Sequence, residues 1–307
     1  MNLVASSKRV YFILKTIGFI GLLIQLEAHT IILEIYATFN EDSTTPTNES
    51  ITFVSTYFDI SRLDRPREEY FKWIRKTIQL NAPFIFFTQS KNKNELEKIF
   101  KTKTNHFYKI ITIELEDLEY YSDFDRVKQI LESQEYKDKI LHPERIECVN
   151  PLYSIVIHSK LDFLLKASQL NPFNTTKFIW IDAGISRFFG NFKVKQKLTG
   201  RHLFDQSFFI TIDCRAFEDR DFQMKNESLA WTARNFLLAG IMGGTREAIS
   251  DIAYELRKKW KYLLEKRVVN NEQMNLLLVY FDRPNLFNLK AIEIKNWNLR
   301  EIFKALI

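Results

Sequence analysis

Lys177-Phe178-Ile179-Trp180-Ile181-Asp182-Ala183-Gly184 is a short apolar run that ends abruptly in an acid, a small residue and a glycine. A run of this length reads as a buried strand. In an open α/β sheet the residues just past the carboxyl end of a strand are where ligands sit. A carboxylate there can hold a divalent cation, and the cation can hold a diphosphate. An Asp in that position can also cap its own turn through backbone N–H groups, and spacing alone does not separate the two readings.

Working outward, the flanking sequence alternates between the two periodicities. Strands are expected at 51–58, 83–88, 107–115, 178–181, 207–212, 236–241 and 286–294. Helices are expected from Pro66, over 92–103, 117–136, 152–170, 246–266 and 271–281, each with apolar residues at helical spacing. Alternation through 51–180 argues for a mostly parallel α/β sheet. After residue 185 it loosens, as when a smaller sheet follows a nucleotide-binding half. No repeat or low-complexity segment interrupts the chain, and with 8 Gly and 7 Pro there is little material for linkers.

The 307 residues carry a net charge of +6, but Lys and Arg are interspersed with Asp and Glu, as in 94–103 and 257–267. These read as solvated helix faces, and no nucleic-acid-binding motif accompanies them. Cys148 and Cys214 lack metal-site spacing; they are a disulfide or two thiols. The five His show no metal-ligand spacing, and no Gly-x-Ser-x-Gly elbow is present.

At the amino terminus, Lys8 and Arg9 precede an apolar run over 10–26, and a polar Thr/Ser-rich stretch covers 40–50. This reads as a signal peptide or signal-anchor over 1–28, a stalk over 29–50 and a single catalytic domain over 51–307. The expected location is the secretory pathway, as a lumen-facing single-pass type II protein of the Golgi or ER, or a secreted protein if the segment is cleaved. The competing reading of the run is a core helix or strand. Sequons at Asn48, Asn174 and Asn226 are compatible with a lumen and are no more than chance supplies.

Other residues at strand ends could carry chemistry. Tyr57 and Asp59 end the first strand, where a nucleoside would lie, and Arg62 follows. Asn150 and Lys160 flank a helix entrance and could face a donor. Arg187 could pair with a phosphate. Gly243 and Gly244 follow a strand and precede a helix, allowing close approach of backbone to a sugar, or forming a plain junction. Glu272 opens a helix beside Gln273; it is a candidate base or an acid favoured by the helix dipole.

Phe53 to Ile60 with Arg62, Asn150-Pro151-Leu152-Tyr153 with Ser159-Lys160, Trp180 to Gly184 with Arg187, Ala239 to Ile249, and Asn271-Glu272-Gln273 together resemble the HtrL/YibB-like (WlaTC-like) family. The resemblance spans about 51–285. It implies a GT-A-like fold, a nucleotide-sugar donor, a glycan or glycoconjugate acceptor and a Mn²⁺ or Mg²⁺ ion at Asp182. It also implies donor contacts from Tyr57, Asp59, Arg62, Asn150, Lys160, Gly243 and Gly244, with Glu272, Gln273 and Arg187 at the reacting sugar. The pattern departs from Asp-any-Asp, because Gly184 stands where the second acid would be. Two other classes compete with a glycosyltransferase: an inactive carbohydrate- or nucleotide-binding protein on the same fold, and an interaction protein of the secretory pathway.

Overall fold

The computed structural model describes residues 51–62, 65–103, 106–189, 207–232 and 234–293; the expected targeting segment over 1–28 and the stalk over 29–50 lie outside the described residues. Seven runs rich in β-branched and aromatic residues form strands: β1 (Ile51–Tyr57), β2 (Phe84–Thr88), β3 (Tyr108–Thr112), β4 (Lys177–Ile181), β5 (Phe208–Asp213), β6 (Leu237–Gly244) and β7 (Phe287–Ile292). They build one sheet in the order β3-β2-β1-β4-β6-β5-β7. β1 pairs parallel with β2 and β4, β2 with β3, and β5 with β7. β6 alone runs antiparallel, between β4 and β5.

The direction of β6 matters for the site. Its amino end lies beside the carboxyl ends of β4 and β5, and its carboxyl end lies at the opposite edge of the sheet. The chain also reverses its direction of growth between β1 and β4. Such a switch point opens a crevice outside the strand ends.

Helices cover both faces. On one side α1 (Arg67–Thr77) and α2 (Ser90–Phe100) bury Phe71, Ile74, Leu96 and Phe100 against Phe53, Phe84, Phe86 and Ile179. On the other lie α3 (Phe124–Glu132), α4 (Pro151–His158), α5 (Lys160–Leu170), α6 (Arg246–Glu265) and α7 (Glu272–Asp282), packed on Val54, Phe87, Trp180 and Ile210. Successive strand residues thus serve opposite faces, as the pleat requires. This is the expected α/β, GT-A-like arrangement flanked by helices, except that among the described residues the later strands extend the same sheet in mixed directions and do not form a smaller second one, because β6 pairs with β4.

Two expected helices are interrupted. The one over 152–170 divides at Ser159, whose hydroxyl donates to the Ile155 carbonyl at 2.9 Å. Such back-bonding bends helices. The bend places Lys160 at the first position of α5. The one over 117–136 becomes two 3₁₀ turns, α3 and a further short helix, Gln134–Lys139. Ser133 caps that helix by accepting from Tyr136 N. Tyr120 is held in the core against Trp260, and the Trp260 indole donates to Asp123 at 2.8 Å. These tertiary contacts override the helical periodicity. Cys148 and Cys214 are free thiols. No helix among the described residues is long and apolar enough to cross a membrane.

Candidate functional site

The loop after β4 is tied down at both ends. Asp182 N donates to the Gly240 carbonyl of β6 at 2.9 Å, and Ile185 N donates to the Asp182 carbonyl at 2.9 Å. Thr77 and Ser186 fasten the same loop to the end of α1, donating to the carbonyls of Ala183 (3.0 Å) and Trp73 (2.8 Å). A 3₁₀ turn, Ile185–Phe188, then carries Arg187 back over the rings of Trp73 and Phe188, at 5.6 and 4.5 Å from their centroids.

This fixed backbone sets the Asp182 carboxylate. Its Oδ1 accepts from the Trp180 indole at 2.8 Å and lies 2.9 Å from Lys160 Nζ. The same ammonium donates to Glu272 Oε1 at 2.7 Å and to the Ala239 carbonyl at 3.2 Å. A lysine has three protons to give, and all three are placed. Lys160 is the first residue of α5 and Glu272 the first of α7, so two helix starts and the β4 end converge on one ion triad, in which Lys160 and Glu272 are buried and Asp182 is partly exposed. Burial pulls the proton affinity of Lys160 down, but Asp182 and Glu272 together outweigh it, so the lysine stays charged. Burial pushes the Glu272 carboxyl above its ordinary range, with Lys160 opposing.

The triad forms the floor of a cavity of about 580 Å³ at the β1/β4 switch point. That is the size of a small-molecule site. Arg62, Arg65, Arg67, Arg145, Lys160 and Arg187 line it against three carboxylates, Asp59, Asp182 and Glu272. Arg62 lies 5.0 Å over the Tyr153 ring. Arg187 loses proton affinity, first through burial and then through the nearby Arg65. Tyr57 and Asp59, at the end of β1, also line the cavity, and Asp59 N donates to Gln89 Oε1 at 2.9 Å. Burial, and then Asp59, push the Tyr57 hydroxyl above its ordinary range, so it stays a neutral donor.

Of the residues expected from sequence, Tyr57, Asp59, Arg62, Lys160, Asp182, Arg187, Glu272 and Gln273 line this cavity. Three expected donor contacts need correction. Gly243 and Gly244 pair with Ile179 and Phe178 in the body of the sheet, because the strand continues through them and runs antiparallel. Gly240, in the middle of β6, lines the cavity instead, as does Gly184 after β4. Asn150 caps α4, accepting from Tyr153 N and donating to the Ile60 carbonyl at 3.3 Å. Arg65, Arg67, Arg145 and Trp180 were missed. The spacing of Arg62, Arg65 and Arg67 directly after a strand was a readable signal for the first two of these; nothing local marks Arg145 as part of the site.

The donor set does not fit a Mn²⁺ or Mg²⁺ ion. Asp182 Oδ1 is already shared by an ammonium and an indole, and Glu272 leans on the same ammonium. The second acid of a metal pair is replaced by Gly184. Among the described residues no group of three or more His, Cys, Asp or Glu side chains converges on a metal position. Hard cations need several oxygen ligands, and here Asp182 Oδ1 and Glu272 Oε1 are both taken up by the Lys160 ammonium.

The fold and site therefore define an α/β, GT-A-like protein with a crevice rich in arginine at the sheet's switch point. The chain belongs to the HtrL_YibB family, described as a bacterial protein of unknown function, which matches residues 49–305. Protein HtrL of Escherichia coli (strain K12) is 23% identical over 269 residues, covering 81% of this chain and 90% of that protein. Among solved structures, galactosyltransferase LgtC with donor and acceptor sugar analogs superimposes with a TM-score of 0.41 and 8% identity, over 78% of this chain and 72% of that one. Core-mannan synthase A (CmsA/Ktr4) from Aspergillus fumigatus, in its Mn/GDP form, gives a TM-score of 0.43 and 12% identity, over 81% and 74%.

Proposed function

We propose that this chain is a glycosyltransferase that moves a sugar from a nucleotide-sugar donor to a hydroxyl of a glycan or glycoconjugate. The observation that carries the reading is the cavity itself: a cation-rich crevice at the switch point whose floor holds a buried carboxylate, Glu272, next to a fixed second one, Asp182. A nucleotide-sugar offers the matching chemistry, a flat base, an anionic diphosphate and a polar sugar.

In this reading Tyr57 and Asp59 meet the nucleoside, and Arg62 and Arg187 take the diphosphate through charge-assisted hydrogen bonds. Glu272 faces the sugar. Its raised proton affinity suits a group that accepts the acceptor's hydroxyl proton, and Gln273 orients that acceptor. Asp182, held by Trp180 and Lys160, positions Lys160 against Glu272 and keeps the floor rigid. The Mn²⁺ or Mg²⁺ ion implied by the resemblance has no step in this scheme, because the residues around Asp182 do not fit it. The proposal extends to location: the apolar segment over 10–26 would anchor the domain 51–307 on the lumenal side of the secretory pathway, or direct its secretion after cleavage.

The test is donor turnover. The full chain is incubated with a panel of nucleotide-sugars and glycan acceptors, and release of nucleoside diphosphate is followed. Glu272→Gln, which keeps the shape and the hydrogen bond to Lys160, is expected to lower turnover by about a hundredfold or more, the ordinary contribution of a positioned base. Binding of donor without any turnover by the unaltered chain would favour an inactive nucleotide-binding protein. Turnover unchanged in Glu272→Gln would remove Glu272 from the chemistry.

A further inference from the structure

We propose that the donor diphosphate is held without a divalent metal, by the guanidinium groups of Arg62, Arg65 and Arg187, while Lys160 supplies at Asp182 the positive charge that a metal ion would otherwise bring. The inference rests on the glycosyltransferase reading and specifies how that site binds its anion.

Three observations converge. First, the Lys160 ammonium sits 2.9 Å from Asp182 and 2.7 Å from Glu272, bridging the two carboxylates of the cavity floor as a cation would. Two bare carboxylates would repel a diphosphate, and Lys160 removes most of that repulsion before any ligand arrives. It is also buried, so the charge is fixed in place and weakly screened.

Second, the position that would carry a second metal-binding acid is given over to an arginine. A Cβ on Gly184 would lie 2.9 Å from Arg187 Nη1 and 3.0 Å from Trp73 Cε3. The absence of a side chain at 184 is what lets the guanidinium pack there. An acid at 184 would push the Arg187 guanidinium and the Trp73 ring from their present positions, so the present packing of Arg187 uses the space a second acid would take.

Third, the remaining cations gather on the same wall. Arg62, Arg65 and Arg187 all line the cavity, and Arg62 and Arg65 lie near enough to Arg187 to depress its proton affinity. Like charges placed together repel, and an anion bound among them would relieve that repulsion. Guanidinium groups match phosphate oxygens in pairs and stay charged at every physiological pH. A diphosphate is the anion whose two centres such a wall spans.

The experiment is equilibrium binding of UDP and GDP, with uridine and guanosine as phosphate-free controls, to the full chain in EDTA and in excess MnCl₂. One nucleoside diphosphate is expected to bind in EDTA with a Kd within about threefold of that in Mn²⁺, and its nucleoside at least about tenfold more weakly, since charge-assisted phosphate contacts carry the difference. Arg187→Gln and Arg62→Gln change residues on the cavity wall, and each is expected to weaken metal-free binding about tenfold. Lys160→Met is expected to abolish binding in EDTA; where it fails to fold by thermal melting, the two arginine variants decide. Binding that appears only with Mn²⁺, or that is indifferent to all three substitutions, overturns the inference and leaves a transferase. Binding of neither nucleotide in either condition overturns the inference together with the reading beneath it.

Discussion

Gly240 and Gly243 stand three residues apart on β6, yet a methyl group meets very different surroundings at each. At Gly243 an added Cβ would lie 2.1 Å from the Phe178 carbonyl oxygen and 2.9 Å from Ile179 Cα, both backbone of the paired strand. The sheet has nowhere to move. Gly243→Ala is expected to cost at least about 3 kcal/mol, as overpacking of a rigid core does, and to give insoluble or unfolded chain. At Gly240 the nearest atoms are Ile185 Cδ1 at 3.3 Å and Asp182 Oδ2 at 3.5 Å, the far ends of side chains. Gly240→Ala is expected to fold, with a loss of about 1 kcal/mol or less, while crowding Asp182 and weakening donor binding. Thermal melting and nucleotide binding on the two variants separate the roles; equal melting temperatures would contradict the packing argument. Single residues were legible in sequence where a pattern broke sharply, as at Asp182. Lys160 could be marked as able to reach a cleft, but its bond to Glu272 joins residues 112 positions apart, and no local pattern encodes that.

At the scale of elements, α7 depends on its cap. Asn271 accepts from Met274 N at 3.0 Å, and its amide donates to Glu147 Oε1 at 3.2 Å and to Asn235 Oδ1 at 3.0 Å. The residue thus closes the helix that carries Glu272 and satisfies a buried carboxylate on a neighbouring segment. Asn271→Ala removes both functions and is expected to cost about 2 kcal/mol, a cap plus part of a desolvated partner. Asp is ordinarily as good a cap as Asn, but here it would face Glu147. Asn271→Asp is therefore expected to be no more stable than Asn271→Ala at neutral pH and to recover as the pH is lowered towards the carboxylate range. Urea unfolding of the two variants checks this, and an Asp variant as stable as the unaltered chain would refute it. The start of α7 was readable as a helix opening with an acid in its first turn, but its cap, Asn271, was not. The bend at Ser159 was not, because the apolar pattern runs through it and the cause is one hydroxyl turned back on its own helix.

For the whole molecule, the order of strands and helices could be read from periodicity, since each buried strand is a short apolar run and each helix shows one apolar face. The direction of β6 could not. A strand's sequence is nearly indifferent to the sense in which its neighbour runs, so its glycines were placed at the wrong end of the sheet. A buried histidine ties stability of the assembled core to pH. His158 donates from Nδ1 to the Ser154 carbonyl at 2.7 Å and accepts at Nε2 from Asn275 at 2.8 Å, with Trp260 and Tyr120 against its ring. Both nitrogens are satisfied by the neutral ring, and a proton on Nε2 would point at an amide donor. Burial is the largest cause that drives its pKa from 6.5 down to about 3. The folded chain therefore refuses a proton that the unfolded chain accepts below about pH 6.5. Its contribution is complete above that value and is lost as pH falls towards 3, at about 1.4 kcal/mol per pH unit. Asp162, raised to about 6 chiefly by burial, works in the opposite sense between 3.8 and 6, because there the folded chain holds the extra proton. The two slopes oppose each other in the unaltered protein, so the histidine is read by difference. The stability gap between the unaltered chain and His158→Gln, measured by urea unfolding, is expected to shrink by about 2 kcal/mol between about pH 7 and about pH 5. A gap that stays constant over that range would mean that His158 titrates in the core as it does in the unfolded chain, and one that widens towards pH 5 would mean that it is charged in the core.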